Sequence, residues 1–206
     1  MNRLALTERR KMDCDGYLFP ADYYEIPGVE EFQNVEAVRN HAFEKLKSCE
    51  KGLVDLYLNG GLSVEVLAVI QAAARLDIRL NMWHYDCERE IYFCQPLRWK
   101  PVSHSDEMEK AEEEIVLCQG RHWGREKKSV FAEIPVDKLF DFQWQEERAR
   151  EFLKVWRNKK IRIYLSGLTS AFVSVLNAVS QENVSVVWLH YDYDTEDYFP
   201  QDMDKS

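Results

Sequence analysis

No stretch of this 206-residue chain approaches the roughly 20 consecutive apolar residues that a membrane helix requires. No membrane partner is therefore expected. Paired cysteine is missing as well. Cys14, Cys49, Cys87, Cys94 and Cys118 are scattered, odd in number and nowhere spaced as CxxC. That pattern argues against a disulfide framework or a zinc site and fits a reducing, cytoplasmic setting. The amino-terminal run Met1-Asn2-Arg3-Leu4-Ala5-Leu6-Thr7 is too short in its apolar part to read as a signal peptide. An excess of positive charge is also absent, the formal net charge being −9. Duplex nucleic acid is excluded as a partner, because it needs a broad basic surface. A small anionic ligand needs only a local basic pocket and stays open. Beyond His84-Tyr85-Asp86 and His190-Tyr191-Asp192 no other His/Cys/Asp cluster stands near in sequence, so neither a metal nor another cofactor is expected.

What the chain does have is one construction made twice. Ile161-Arg162-Ile163-Tyr164 reads as a buried strand, Leu165-Ser166-Gly167-Leu168-Thr169 as a turn, and Ser170 to Val179 as a helix. Earlier, Leu56-Tyr57-Leu58 leads into Asn59-Gly60-Gly61-Leu62-Ser63 and then a helix from Val64 to Ala72. A strand that breaks at glycine and a hydroxyl residue and then opens a helix is how α/β folds build an anion site. The first backbone N–H groups of the helix have no intrahelical partner, and the helix dipole favours negative charge there.

The rest of the chain repeats around these turns. A constant offset of 106 residues carries Gly61 onto Gly167, His84-Tyr85-Asp86 onto His190-Tyr191-Asp192, and Gln95 onto Gln201. Arg3 to Thr7 matches Ile115 to Cys118 as first strands, and Glu25-Ile26-Pro27 matches Glu133-Ile134-Pro135. Val35 to Leu46 and Glu147 to Val155 have apolar residues at helical spacing. In each half the order is strand, extended segment, helix, strand, helix, strand, strand. The reading is α/β: two Rossmann-like repeats as a pseudo-two-fold tandem unit, each a mostly parallel sheet with one antiparallel hairpin strand. Residues 1–99 form the first repeat and 114–206 the second. Residues 100–113, ending in the charge run from Asp106, read as a polar linker.

Ligands of open α/β sheets sit outside the carboxyl ends of the strands. Two loops of each half emerge there. In the first half they bring Arg9, Arg10 and Lys11 beside Asn59, Gly60, Gly61 and Ser63. In the second they bring Arg121, His122, Trp123 and Arg125 beside Ser166, Gly167 and Thr169. Backbone N–H donors, hydroxyls and cations gathered twice in an acidic chain point to an anionic ligand. Trp123 between two arginines suits stacking on a base. The bland alternative is that the glycines only make tight turns and the cations are surface charge. In the His-Tyr-Asp copies, His and Asp share a side of the strand while Tyr points away. Acid–base chemistry is one reading. The other, favoured, is that Asp bonds turn backbone while His packs at the sheet edge.

The duplicated strand, Gly turn and helix resembles the CARF (CRISPR-associated Rossmann fold) superfamily. The matching positions are Gly60, Gly61 and Ser63, and Gly167 and Thr169, with the loops after the first strands. The resemblance implies Rossmann-like domains paired across a two-fold that bind a cyclic oligoadenylate of prokaryotic antiviral defence, with a homodimer also allowed. It further implies sequestering, sensing or cleaving that messenger. The lysine that often follows the family's turn is absent, since Val64 and Ser170 stand there. Binding, with slow cleavage at most, is the expectation. A metal-independent ring nuclease is the alternative, with His122 and Arg121 as its catalytic residues; a ligand-free interaction protein is the third.

Overall fold

A computed structural model describes residues 2–30, 33–49, 52–101, 109–119 and 127–203. The chain divides into two compact units, Met1–Leu97 and Arg98–Ser206. Both are α/β, and each carries one five-stranded sheet.

The first unit opens with β1 (Asn2–Thr7) and β2 (Gly16–Phe19), then α1 (Val35–Lys47), β3 (Leu53–Leu58), α2 (Ser63–Arg75), β4 (Arg79–Asp86) and β5 (Ile91–Pro96). Its strand order is β2-β1-β3-β4-β5. The first four strands are parallel and β5 returns antiparallel to β4. The second unit repeats this with β6 (Glu109–Cys118), β7 (Ser129–Phe131), α3 (Phe142–Leu153), β8 (Lys159–Tyr164), α4 (Thr169–Glu182), β9 (Ser185–Asp192) and β10 (Asp197–Asp202). Its order is β10-β9-β8-β6-β7, again with only the last hairpin antiparallel. The expected fold class, sheet direction and hairpin strand are all present. No helix among the described residues is long and apolar enough to cross a membrane, and no disulfide joins any of the five cysteines.

Strand alternation separates two faces in each sheet. In the first unit Leu4, Leu6, Val54, Leu56, Leu80 and Met82 are buried on the side where α1 and α2 pack against each other. The opposite side carries Arg3, Tyr57, Trp83 and Tyr85, and no helix of that unit lies over it among the described residues. In the second unit Ile115, Ile163 and Trp188 are fully buried, and Phe172 of α4 meets the Trp188 ring edge-on at 4.9 Å. The other face there holds a cluster of Val116, Tyr164 and Leu189 flanked by Val187 and Tyr198.

Two boundaries differ from the sequence reading. β6 begins at Glu109, inside the charged stretch read as linker. Its register with β8 runs from Glu109 opposite Lys159 to Glu114 opposite Arg162, with an irregularity between. Strand pairing there overrides a composition that suits a solvated loop. Helix α3 begins at Phe142, ahead of the expected Glu147, because the Asp141 side chain accepts the Trp144 N–H at 3.0 Å and caps it. Replacing Asp141 by Ala removes that cap and is expected to cost about 1 kcal/mol, read from denaturant unfolding. An unchanged midpoint would show that the cap contributes nothing.

Candidate functional site

The carboxyl end of β3 is tied to its neighbour by one side chain. Asn59, 4% exposed, accepts the Thr7 N–H at 3.2 Å and donates to the Thr7 carbonyl at 2.7 Å and the Arg10 carbonyl at 2.6 Å. Both amide hydrogens are spent on backbone. Asn59 therefore braces the site and has no amide hydrogen left for a ligand. What it braces is the basic loop: Arg10 and Lys11 are exposed, while the Arg9 side chain donates back to the Ala21 carbonyl at 2.8 Å. In the second unit Ser166 ties the turn to the end of β6, its hydroxyl donating to the Cys118 carbonyl at 3.0 Å. The structure thus brings Arg9, Arg10, Asn59, Gly60, Gly61 and Ser63 to one sheet edge, and Ser166, Gly167 and Thr169 to the matching edge of the other sheet. Arg121, His122, Trp123 and Arg125 lie outside the described residues.

Both glycine turns use backbone that favours glycine. Gly60, Gly61 and Gly167 have φ of +132°, +92° and +113°. Space also matters. A Cβ on Gly61 would stand 2.6 Å from Glu65 Oε2 and 2.7 Å from the Leu6 side chain. A Cβ on Gly167 would stand 2.8 Å from Cys118 Sγ. The absent side chains face the protein, so tight packing of turn on strand already accounts for glycine at these two positions.

The two helix starts are unlike. At α2, Glu65 is fully buried and its Oε2 accepts the Leu62 N–H at 2.7 Å. Its Oε1 has no hydrogen-bond partner among the described residues. Burial pushes this carboxyl above its usual range, against the opposing pull of the Leu62 N–H and the Arg9 charge. A resident carboxyl oxygen thus takes up a helix-start N–H group that an anion would otherwise use. At α4 no side chain caps the helix and its first turn holds no acid. Gly167 and Thr169 are exposed there. Among the described residues, the start of α4 is thus the one of the two without a resident acid.

The histidines of both His-Tyr-Asp copies are buried in the sheets. His190 lies against the Phe199 ring at 5.2 Å. Burial pulls His84 down to about 4 and His190 to about 3, opposed by hydrogen bonds with Gln95 and Gln201. Asp86 accepts the Glu88 and Arg89 N–H groups, and Asp192 that of Asp194. Neutral imidazoles inside a sheet and aspartates closing its turns form structural pairs.

Sequence reasoning missed Glu65, which only its place three residues into α2 marks as a capping acid. It also missed a set of tyrosines on the helix-free faces. Tyr85 and Tyr92 match Tyr191 and Tyr198 at the 106-residue offset, but Tyr57 matches Tyr164 at 107. The turn of the second unit is one residue shorter, so a fixed offset hides the pair.

The histidines yield a pH test. Between pH 6.5 and their lowered values the unfolded chain binds protons that the folded chain refuses. Their stabilising contribution is whole above pH 6.5 and is lost as pH falls. At pH 5 each site is expected to cost up to roughly 2 kcal/mol. Denaturant unfolding at pH 7 and pH 5 should show a shallower loss in His84→Gln and in His190→Gln than in the parent chain. Identical losses would show that neither imidazole is held neutral.

No protein-family model matches the chain, and no curated protein matches it by sequence. Among solved structures it is similar to a Cap4 SAVED/CARF-domain containing receptor of Moraxella osloensis, with 12% identity and a TM-score of 0.47, covering 97% of this chain and 48% of that one. The Acinetobacter baumannii Cap4 receptor is similar both with the cyclic trinucleotide 2′3′3′-cAAA (9% identity, TM-score 0.48) and with 3′3′3′-cAAA (11%, 0.48). Each of these covers 98% of this chain and 50% of the receptor. The chain thus spans about half the length of the structures it matches. At such identities and TM-scores the likeness carries no argument about what this chain binds.

Proposed function

We propose that the chain recognises a cyclic oligonucleotide signal and holds it rather than cleaving it. The observation that carries this reading is the uncapped start of α4, behind a glycine turn braced by Ser166 at the carboxyl edge of the sheet. Orphan N–H groups and the helix dipole favour a phosphate there. The exposed Thr169 hydroxyl adds a neutral donor. In the first unit the corresponding turn holds its own acid, Glu65, on which the Arg9 charge acts, and Arg9, Arg10 and Lys11 are the exposed cations of the loop. The choice of a cyclic oligonucleotide, and of an antiviral and CRISPR-associated setting, comes from the resemblance in the Gly turns. A cytoplasmic setting fits five cysteines without a disulfide.

Holding is favoured over cleavage because the buried, neutral His84 and His190 supply no acid or base to the edge. Cleavage, if present, falls to Arg121 and His122: the ribose 2′-hydroxyl attacks the adjacent phosphorus, loses its proton and forms a 2′,3′-cyclic phosphate, the P–O5′ bond breaks, and His122 protonates the departing 5′-oxygen, with no metal needed.

Calorimetric titration with 3′3′3′-cAAA, cyclic tetra-adenylate and cyclic hexa-adenylate tests the reading. At least one is expected to bind, more weakly as salt rises. Thr169→Ala should cost about 0.5–1.5 kcal/mol, and Arg10→Ala should weaken binding too. Chromatography after incubation in EDTA should recover the ring intact. Rapid cleavage lost in His122→Ala would make the chain a ring nuclease. No binding of any ring would leave the ligand-free interaction protein.

A further inference from the structure

Three tyrosines on three neighbouring strands recur in each unit, on the sheet face opposite the paired α-helices among the described residues. In the first unit Tyr92 meets Tyr57 edge-on at 5.1 Å and Tyr85 at 5.0 Å with the planes tilted by 46°. In the second, Tyr198 meets Tyr164 edge-on at 4.7 Å and Tyr191 at 5.1 Å with the planes tilted by 59°. A cation stands over the equivalent ring each time. The Arg3 guanidinium is 5.4 Å from the Tyr57 centroid and the Lys127 ammonium 4.3 Å from that of Tyr164. These cations come from different elements, β1 and the approach to β7, so the arrangement is met by two different routes.

The surroundings have diverged while the tyrosines have not. Trp83, parallel to Tyr57 at 5.5 Å, is replaced by Leu189. Asp55 is replaced by Arg162, and Cys94 by Pro200. Tyr57 and Tyr164 are buried, and their hydroxyls already bond Arg3 and the Glu114–Lys127 pair. Packing alone would accept Phe at the other four positions, yet all four are Tyr. Tyr85 is 39% exposed, and Tyr92, Tyr191 and Tyr198 are half-buried. Burial raises the Tyr92 hydroxyl, with Tyr85 and Tyr57 adding to the rise and Arg10 opposing it. The tyrosine face and the basic loop are thus electrostatic neighbours. Flat amphipathic rings beside cations suit an aromatic group that carries negative charge, which is the chemistry of a nucleotide.

We infer that each tyrosine face is a platform on which a nucleobase stacks, with Tyr85 and Tyr92 offering the accessible rings in the first unit and Tyr191 and Tyr198 in the second. This rests on the cyclic-oligonucleotide reading and assigns base contacts to a ligand whose phosphate lies at the strand ends.

Two probes separate the two ideas. Ring-proton NMR is followed on adding millimolar AMP, and in parallel ribose 5-phosphate, which lacks the base. Titration with 3′3′3′-cAAA then compares the parent chain with Tyr85→Ala, Tyr85→Phe, Tyr191→Ala and Tyr191→Phe. AMP should shift tyrosine ring signals and ribose 5-phosphate should not. Each Ala variant should bind 3′3′3′-cAAA about ten-fold more weakly, and each Phe variant within about two-fold of the parent. Melting curves show whether the Ala variants stay folded. If they bind 3′3′3′-cAAA as the parent does, the platforms are wrong and the cyclic-ligand reading stands. If no ring binds but AMP shifts the tyrosines, and the Ala variants abolish the shift, the platforms stand and the cyclic-ligand reading fails. If neither probe acts, or Tyr85→Ala only changes oligomeric state, the face is not a base platform.

Discussion

The candidate site depends on a buried polar tie between adjacent strand ends. In the first unit the Asn59 amide satisfies the Thr7 N–H, the Thr7 carbonyl and the Arg10 carbonyl together. Strand ends leave such groups without ladder partners, and leaving one buried and unmade costs about 1–3 kcal/mol. Meeting that demand with one side chain ties the turn after β3 to the backbone of the loop after β1, which carries Arg10. Ser166 gives the second unit a lighter version, with a single bond to Cys118. Tight packing follows from these ties, since Gly61 and Gly167 lie too close to the neighbouring strand for any side chain.

Given two similar frames, the helix starts differ at one acidic residue. Glu65 puts a carboxylate under the first turn, whereas its counterpart at the 106-residue offset is Ala171. A buried acid at a helix start accepts from an N–H group that an anion would otherwise use. Duplication thus yields one closed helix start and one open one. The aromatic faces run the other way: their tyrosines agree in both units while the residues around them have changed.

Fold and site were legible to different degrees. The Gly turns, the helices and the final hairpins could be read because apolar period and glycine placement are local signals. Asn59 and Ser166 were legible as polar turn residues. Their actual bonds were not, because the accepting carbonyls of Thr7 and Cys118 lie 52 and 48 residues away. The stretch from Glu109 read as linker because charge runs resemble solvated loops, and only pairing with β8 makes it strand. For His84 and His190 alternation showed only that His and Asp share a side of the strand; the favoured structural reading matches their burial in the sheets. The tyrosine sets escaped because one residue fewer in the second turn breaks the offset between Tyr57 and Tyr164.

The most direct measurement is backbone amide NMR of the full chain during titration with 3′3′3′-cAAA at low and at high salt. The account predicts that the amides of Gly167, Leu168, Thr169 and Ser170 move most. Those of Gly61, Leu62 and Ser63, beside Glu65, should move less, and all shifts should shrink as salt rises. Saturating binding that leaves the amides at the start of α4 unmoved would contradict it.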